Sequence, residues 1–120
     1  AGAKFYVTNQ DTLIPTEAGM FPSSGALTAF IEYASGVSPM VIGKPNPLII
    51  DGAVQRLGLE NHQVLLIGDN YQTDIQAGIQ AGVDTLMVLT GVSTKEDLAK
   101  FDAQPTYLRN DLSEWELSHD

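Results

Sequence analysis

The chain has 120 residues, which is enough for one domain with its own core, and its 43% hydrophobic and 18% charged residues exclude a disordered chain. Fifteen acids against six bases give a net charge of −9, which excludes a nucleic-acid partner, and the absence of cysteine excludes disulfides, thiolate catalysis and Cys-ligated zinc. No apolar run approaches the roughly 18 residues of a membrane-spanning helix and no secretory signal is predicted, so we expect a cytoplasmic protein without a membrane partner.

The first third of the chain predicts a strand, a long loop and a helix. Residues 5–8 are typical of a short strand, and the polar residues that follow predict an irregular loop over residues 9–22. Ser23 or Ser24 is positioned to cap a helix that Gly36 ends. The apolar residues of this helix recur at helical spacing: Leu27, Phe30, Ile31 and Ala34.

The middle of the chain predicts a second strand and a second helix. Residues 40–42 form the strand, which runs into Gly43-Lys44-Pro45. Proline suits the first turn of a helix, so we expect a helix from Pro45 to the residue before Gly58. Its predicted buried stripe comprises Ile50, Ala53, Val54 and Leu57.

The remaining elements continue the alternation of strand and helix. Residues 64–67 are continuously apolar, which favours a parallel strand covered on both faces. A helix follows with Ile75, Gly78, Ile79 and Gly82 on one face, and residues 86–89 predict the next buried strand. A short helix near residues 94–100 and a strand at residues 106–108 complete the pattern. The alternation predicts one α/β domain over residues 1–120, a three-layer α/β/α fold with a parallel, Rossmann-like sheet.

Three charged residues are placed where such a sheet binds ligands. In an open parallel sheet the ligand lies beyond the carboxyl ends of the strands. Lys44 follows one strand, Asp69 follows another, and Asp74 lies in the first turn of the next helix. Two hard oxygen ligands and an ammonium group, without His or Cys, predict a site for Mg²⁺ and a phosphate group.

Each of these residues also has a structural interpretation when it is taken alone. Asp69 suits a turn, Asp74 complements the dipole at a helix start, and a single lysine is most often a solvated surface residue. Their joint placement at strand ends is what favours the site over these alternatives.

Two segments resemble a known family. "GKPNPLIIDGAVQRLG" and "LLIGDNYQTDIQAGIQAGVDTLMVLTGV" resemble the C-terminal core of haloacid dehalogenase (HAD) superfamily phosphatases, in particular the NagD/4-nitrophenylphosphatase-like subgroup. "FYVTNQD" and "IPTEAGMFPSSGAL" resemble the return from the cap domain into that core. The resemblance extends to about Gly91, and it assigns residues 1–17 to the cap-to-core return.

The resemblance implies Mg²⁺-dependent hydrolysis of small phosphate monoesters through an aspartyl-phosphate. Lys44 matches the lysine that steadies the nucleophile and the phosphate, Asp69 the acid that coordinates Mg²⁺ directly or through its water, and Asp74 the acid that supports the metal site.

The resemblance also implies residues that contact the substrate. Asn70 would order the loop that carries the metal acids. Residues 9–15, with Asn9 and Asp11, match a stretch that faces the substrate from the cap side. Sugar phosphates, nucleoside monophosphates and aryl phosphates such as 4-nitrophenyl phosphate remain open as substrates.

The family's nucleophile motif is missing from the chain. That motif is an apolar strand ending in Asp-x-Asp, and no Asp-x-Asp occurs in these 120 residues. We therefore expect the C-terminal part of a longer phosphatase, inactive alone. Loss of the nucleophile strand would leave an open sheet edge, through which the chain would associate with itself or another chain.

Two other functions remain as alternatives. The chain by itself would be an inactive fragment or a metal- or phosphate-binding module that self-associates. A flavodoxin-like or receiver-like domain that shares the spacing is the third hypothesis, but the early acidic pair that receiver domains need is absent from the sequence.

Overall fold

The computed structural model describes residues 2–116. The chain divides into two units, Ala1–Gly43 and Lys44–Asp120, and the prediction of one domain over residues 1–120 stays a prediction. Helices alternate with strands that pair in parallel, which confirms the α/β class. Among the described helices, none is long and apolar enough to cross a membrane.

Over its described residues 2–43, the first unit contains two small sheets and one helix. Strand β1 (Tyr6–Val7) pairs in parallel with β4 (Met40–Val41). Strands β2 (Leu13–Thr16) and β3 (Gly19–Pro22) form an antiparallel hairpin, and helix α1 (Ser24–Ser35) follows it. The strands at the two ends of the unit therefore meet, with the hairpin and the helix between them in sequence.

The hairpin corrects the prediction that residues 9–22 are irregular. The Thr16 hydroxyl donates to the Gly19 carbonyl at 2.8 Å and accepts the Ala18 N–H at 3.2 Å, so one side chain closes the turn. Gly19 has a φ of 114°, which favours glycine. Strand β2 contains Pro15, and a two-stranded hairpin has only edge strands, where proline is tolerated.

Helix α1 begins and ends where the sequence predicted. Gly36 ends it in the left-handed conformation and donates its N–H to the Glu32 carbonyl at 2.9 Å. Its apolar residues are nevertheless exposed: Leu27 is 62% exposed and Phe30 70%. Thr28 is the residue of this helix that is buried.

The second unit is a parallel sheet with helices between its strands. Its elements in chain order are α2 (Leu48–Leu57), β5 (Leu65–Gly68), a π-helical turn (Tyr71–Ile75), α3 (Gln76–Ala81), β6 (Asp84–Val88), α4 (Lys95–Leu98) and β7 (Tyr107–Arg109). The sheet has the order β5-β6-β7, and all its strands are parallel. Single 3₁₀ turns lie at Asn61–Gln63 and Leu112–Glu114.

Helix α2 begins later than predicted. A proline disfavours the helical conformation of the residue before it, and both Lys44 and Asn46 precede a proline. The helix therefore starts at Leu48, whose N–H donates to the Asn46 side chain at 3.0 Å.

The core of the second unit consists of two clusters of buried side chains. One joins α2 and α3, and it leaves Ala53 and Leu57 of the predicted stripe exposed. The other lies around the π-helical turn, β6 and α4. The first cluster comprises Ile50, Val54, Ala77, Ala81 and Val83, and the second Tyr71, Ile75, Met87 and Leu98.

Strand β5 is less covered than its sequence predicted. It lies at one end of the three-stranded sheet and pairs with β6. Ile67 is 47% exposed, whereas residues 85–88 of β6 are buried. The prediction of a strand covered on both faces is thus wrong for β5, which is an edge strand. The prediction of a buried strand is correct for β6, which lies at the centre of the sheet.

Helix α3 packs closely on the sheet at Gly78, one of the residues predicted to share a face of this helix. A Cβ built at Gly78 would lie 2.4 Å from Thr85 Cγ2 and 3.0 Å from Leu66 Cδ2. Gly82, predicted on the same face, instead ends the helix with a φ of 70°.

We expect Gly78→Ala to lower the free energy of unfolding of the 120-residue chain by about 1–3 kcal/mol, since Thr85 is buried and cannot move aside freely. Gly52→Ala is the matched control: Gly52 lies in α2, a Cβ added there would meet nothing within 4 Å, and alanine should stabilise the helix by up to about 1 kcal/mol. Urea denaturation measures both. Equal effects of the two substitutions would contradict the packing described.

Candidate active site

Two residues separate the carboxyl end of β5 from a π-helical turn that places Asp74 against Gly68, the last residue of the strand. The Asn70 carbonyl accepts the N–H groups of Asp74 and Ile75 at 2.8 and 3.3 Å, and the Asn70 side chain accepts the Gln72 N–H at 3.0 Å. The wide turn places the Asp74 side chain against Gly68. A Cβ at Gly68 would lie 2.3 Å from Asp74 Cβ, so glycine is required there.

Asp74 is buried and both of its oxygens are engaged. The residue is 8% exposed. Its Oδ1 accepts a hydrogen bond from Lys44 Nζ and forms an ion pair with it, and its Oδ2 accepts the Asn70 N–H at 3.2 Å. A buried carboxylate needs such partners because water does not reach it.

Lys44 is held by this ion pair but remains accessible. Its side chain is 45% exposed, against 11% for that of Asp74. An ammonium group has three donors, and one contacts Asp74, so further N–H groups can reach a ligand. Gln80 of α3 donates to the Pro45 carbonyl at 3.2 Å and thereby ties the Lys44 segment to the helix.

Asp69 differs from Asp74 in that one oxygen remains available. Its Oδ2 accepts the Val92 N–H at 2.8 Å, and its carbonyl accepts the Ser93 N–H at 3.0 Å. Its Oδ1 accepts none of the hydrogen bonds found among the described residues. A Cβ at Gly91 would lie 1.8 Å from Asp69 Oδ2, so the carboxylate packs directly on the backbone after β6.

The structure brings together four of the six predicted site residues and leaves two in the other unit. Lys44, Asp74 and Asn70 are joined by hydrogen bonds, and Asp69 is adjacent to Asn70 in the chain. Asn9 and Asp11 belong to the first unit, where the Asn9 side chain accepts from the Ser24 hydroxyl and from the Asp11 N–H. Their role in substrate binding stays a prediction.

Sequence reasoning missed the residues that position the acids. Gly68 and Gly91 provide space for the two carboxylates, and Val92 and Ser93 bind Asp69. Glycine directly before an acid at a strand end is a signal for Gly68. Thr90-Gly91 is typical of a strand end, which gives no sign of the contact with Asp69.

The oxygen ligands suit part of a Mg²⁺ shell. Among residues 2–116 no group of at least three His, Cys, Asp and Glu side chains is placed to hold a metal ion. Mg²⁺ commonly takes one or two carboxylates and completes its shell with water and phosphate. The available Oδ1 of Asp69, at the strand end, fits that requirement. The two oxygens of Asp74 accept from Lys44 and Asn70, and its predicted support of the metal site stays a prediction.

The chain matches a protein-family model and is similar to curated proteins. The HAD-hydrolase-like family model matches residues 41–115. The acid sugar phosphatase of Staphylococcus saprophyticus is 47% identical over 113 residues, and that of Staphylococcus aureus is 48% identical over 113 residues. Each alignment covers 94% of this chain, and the chain spans 44% of the length of these relatives.

Solved structures match nearly the whole of this chain and under half of their own. A double mutant of the thermostable NPPase from Geobacillus stearothermophilus superposes with a TM-score of 0.86 at 45% identity, covering 96% of this chain and 45% of that one. NagD from E. coli K-12 superposes with a TM-score of 0.87 at 38% identity, with the same coverage. These similarities confirm the predicted Rossmann-like α/β fold and the resemblance to the NagD and nitrophenylphosphatase proteins.

We expect Lys44→Met to lower the free energy of unfolding by about 1–2 kcal/mol, because it leaves the buried Asp74 carboxylate without its charged partner. Lys100→Met is the matched control. It removes an ion pair with Asp97 whose two side chains are 68% and 38% exposed, and we expect no measurable change. Chemical denaturation of both variants measures the difference, and an equal effect would show that the Lys44 pair is as weak as a surface pair.

Proposed function

The chain belongs to the HAD-hydrolase-like family, and on that premise we propose that it is the C-terminal part of a Mg²⁺-dependent phosphatase acting on small phosphate monoesters. The observation that carries the proposal is the ion pair of Lys44 with buried Asp74, in the turn that follows β5 and begins after Asp69, whose Oδ1 is available.

Each charged residue has a distinct task in this proposal. Asp69 would hold the cation through Oδ1, and Asp74 would position Lys44. Lys44 would direct its remaining N–H groups to a phosphate oxygen, and Asn70 keeps the π-helical turn closed over Asp74. Bound Mg²⁺ would neutralise charge on the phosphate. Together the cation and Lys44 would offset the strong negative charge of the chain at the site.

The length of the relatives supports a longer protein. The chain spans 44% of the curated acid sugar phosphatases, and it has no Asp-x-Asp. We therefore place the nucleophile and the general acid outside these 120 residues. The exposed apolar side chains of the first unit, such as Phe30 and Tyr33 at 70% and 94%, are compatible with a surface that further chain covers.

The names of the relatives support small phosphorylated substrates. The curated relatives are named acid sugar phosphatases, and solved relatives are named p-nitrophenyl phosphatases. We propose sugar phosphates and 4-nitrophenyl phosphate as the first substrates to test. Asn9 and Asp11 stay our candidates for substrate contacts from the segment of residues 1–17.

Self-association is the second candidate property of the chain by itself. Strand β5 ends the sheet of the second unit, and Ile67 on it is 47% exposed. An uncovered strand edge with an apolar residue is a template for pairing with another chain.

In the longer protein, we expect hydrolysis of 4-nitrophenyl phosphate to require Mg²⁺ and to stop in excess EDTA. Asp69→Asn keeps the size of the side chain but removes its charge, so kcat/KM should fall by about 100-fold. Asp97→Asn is the control for loss of one negative charge, because Asp97 of α4 contacts Thr94 at the N-cap of that helix and Lys100 after its end. Activity that persists in EDTA, or that survives Asp69→Asn, would overturn the proposal.

For the 120-residue chain alone, we expect no release of 4-nitrophenol from 4-nitrophenyl phosphate, since the chain lacks the Asp-x-Asp motif whose first acid would form the phospho-enzyme. Turnover by the pure chain would show that the nucleophile lies within it.

Sedimentation velocity of the 120-residue chain should show self-association that Ile67→Lys reduces, because lysine on an edge strand opposes pairing. Leu57→Lys, at an exposed apolar position of α2, should leave association unchanged.

A further inference from the structure

The segment that follows β6 runs past the end of β5 and binds Asp69 twice. Val92 N–H donates to Asp69 Oδ2 at 2.8 Å, and Ser93 N–H donates to the Asp69 carbonyl at 3.0 Å. One bond holds the side chain and the other holds the backbone. Together they fix the carboxylate torsion and leave Oδ1 as the oxygen that can bind a ligand.

Gly91 makes this arrangement sterically tight. The Cβ of any other residue would lie 1.8 Å from Asp69 Oδ2 and 2.5 Å from its Cγ. The carboxylate therefore packs against bare backbone at Gly91 and accepts a hydrogen bond from the next residue, Val92. We call residues 91–93 the β6 latch.

Ser93 fastens the latch to a rigid part of the core. Ser93 is 8% exposed, and its hydroxyl accepts the Tyr71 N–H at 2.9 Å. Tyr71 is 1% exposed, and its ring stacks on Phe101 with centroids 4.1 Å apart. Its hydroxyl donates to the Ala103 carbonyl, and burial raises the pKa of this phenol, so it stays a neutral donor. The Ser93 hydroxyl thus ties the latch to a residue that packing holds on two sides.

From these contacts we propose that Ser93 is a positioning residue that, through Val92 and Gly91, orients the Asp69 carboxylate for a divalent cation. The hydroxyl of Ser93 does not contact the cation or the substrate. Its loss would release the latch from Tyr71 and allow the Asp69 carboxylate to rotate. The inference rests on the proposed metal role of Asp69.

Mn²⁺ binding to the 120-residue chain, followed by electron paramagnetic resonance, tests the inference without any activity. Ser93→Ala should weaken Mn²⁺ binding about tenfold, since supporting contacts of this kind commonly change metal affinity by about 10–100-fold. Ser93→Thr keeps a hydroxyl and should bind within about twofold of the parent chain. Ser113→Ala is the control, because that exposed hydroxyl contacts Asp111.

A second readout without metal separates this inference from the proposed function. Amide hydrogen exchange at Val92 and Tyr71, measured by NMR in EDTA, should accelerate in Ser93→Ala and not in Ser93→Thr. Should Ser93→Ala fail to fold, Gly91→Ala serves instead: it should weaken Mn²⁺ binding while Tyr71 keeps its protection.

Three outcomes decide the matter. Weaker Mn²⁺ binding and faster Val92 exchange in Ser93→Ala, both restored by threonine, support the inference. Unchanged Mn²⁺ binding in Ser93→Ala overturns it, whatever the exchange shows. A parent chain that binds no Mn²⁺ contradicts the metal role of Asp69, and Val92 exchange then decides whether Ser93 positions Asp69 at all.

Discussion

The pairing of the buried Asp74 carboxylate with Lys44 and the Asn70 N–H is the interaction on which the rest of the site depends. A charge removed from water must be paired, and Asp74 meets that requirement with the Lys44 ammonium on one oxygen and the Asn70 N–H on the other. These two contacts join the segment before α2 to the turn after β5. The ion pair holds one N–H donor of the Lys44 ammonium group, while the side chain stays 45% exposed. The lysine is therefore fixed in position and still accessible to a ligand.

The same requirement explains why glycines surround the site. A carboxylate at a strand end finds its donors in nearby backbone N–H groups, and it reaches them only where no side chain intervenes. Gly68 lies against Asp74 and Gly91 against Asp69 with no space for a Cβ. Neither glycine has a positive φ angle, so close approach is what requires them, and not an unusual backbone conformation.

The two units of the chain differ in how much apolar surface they bury. The second unit has two clusters of buried side chains, and its central strand β6 is covered from residue 85 to residue 88. In the first unit the apolar residues of α1 and of the hairpin are exposed, as Leu27, Met20 and Phe21 illustrate. This difference agrees with a chain that spans 44% of its curated relatives, whose further length has no counterpart here.

Local patterns in the sequence determined the alternation of helices and strands, the ends of α1 and α2 at Gly36 and Gly58, and the placement of Asp69 and Asp74 after one strand. Hydrophobic periodicity and helix capping depend on residues a few positions apart, and they can therefore be recognised in the sequence. Only the tertiary structure decided that Lys44 engages one oxygen of Asp74 and Val92 one oxygen of Asp69, because these partners are distant in sequence: Lys44 lies 30 residues from Asp74, and Val92 lies 23 from Asp69. The hairpin at Pro15 and the exposure of Ile67 were decided there too, since strand pairing and neighbouring strands set them.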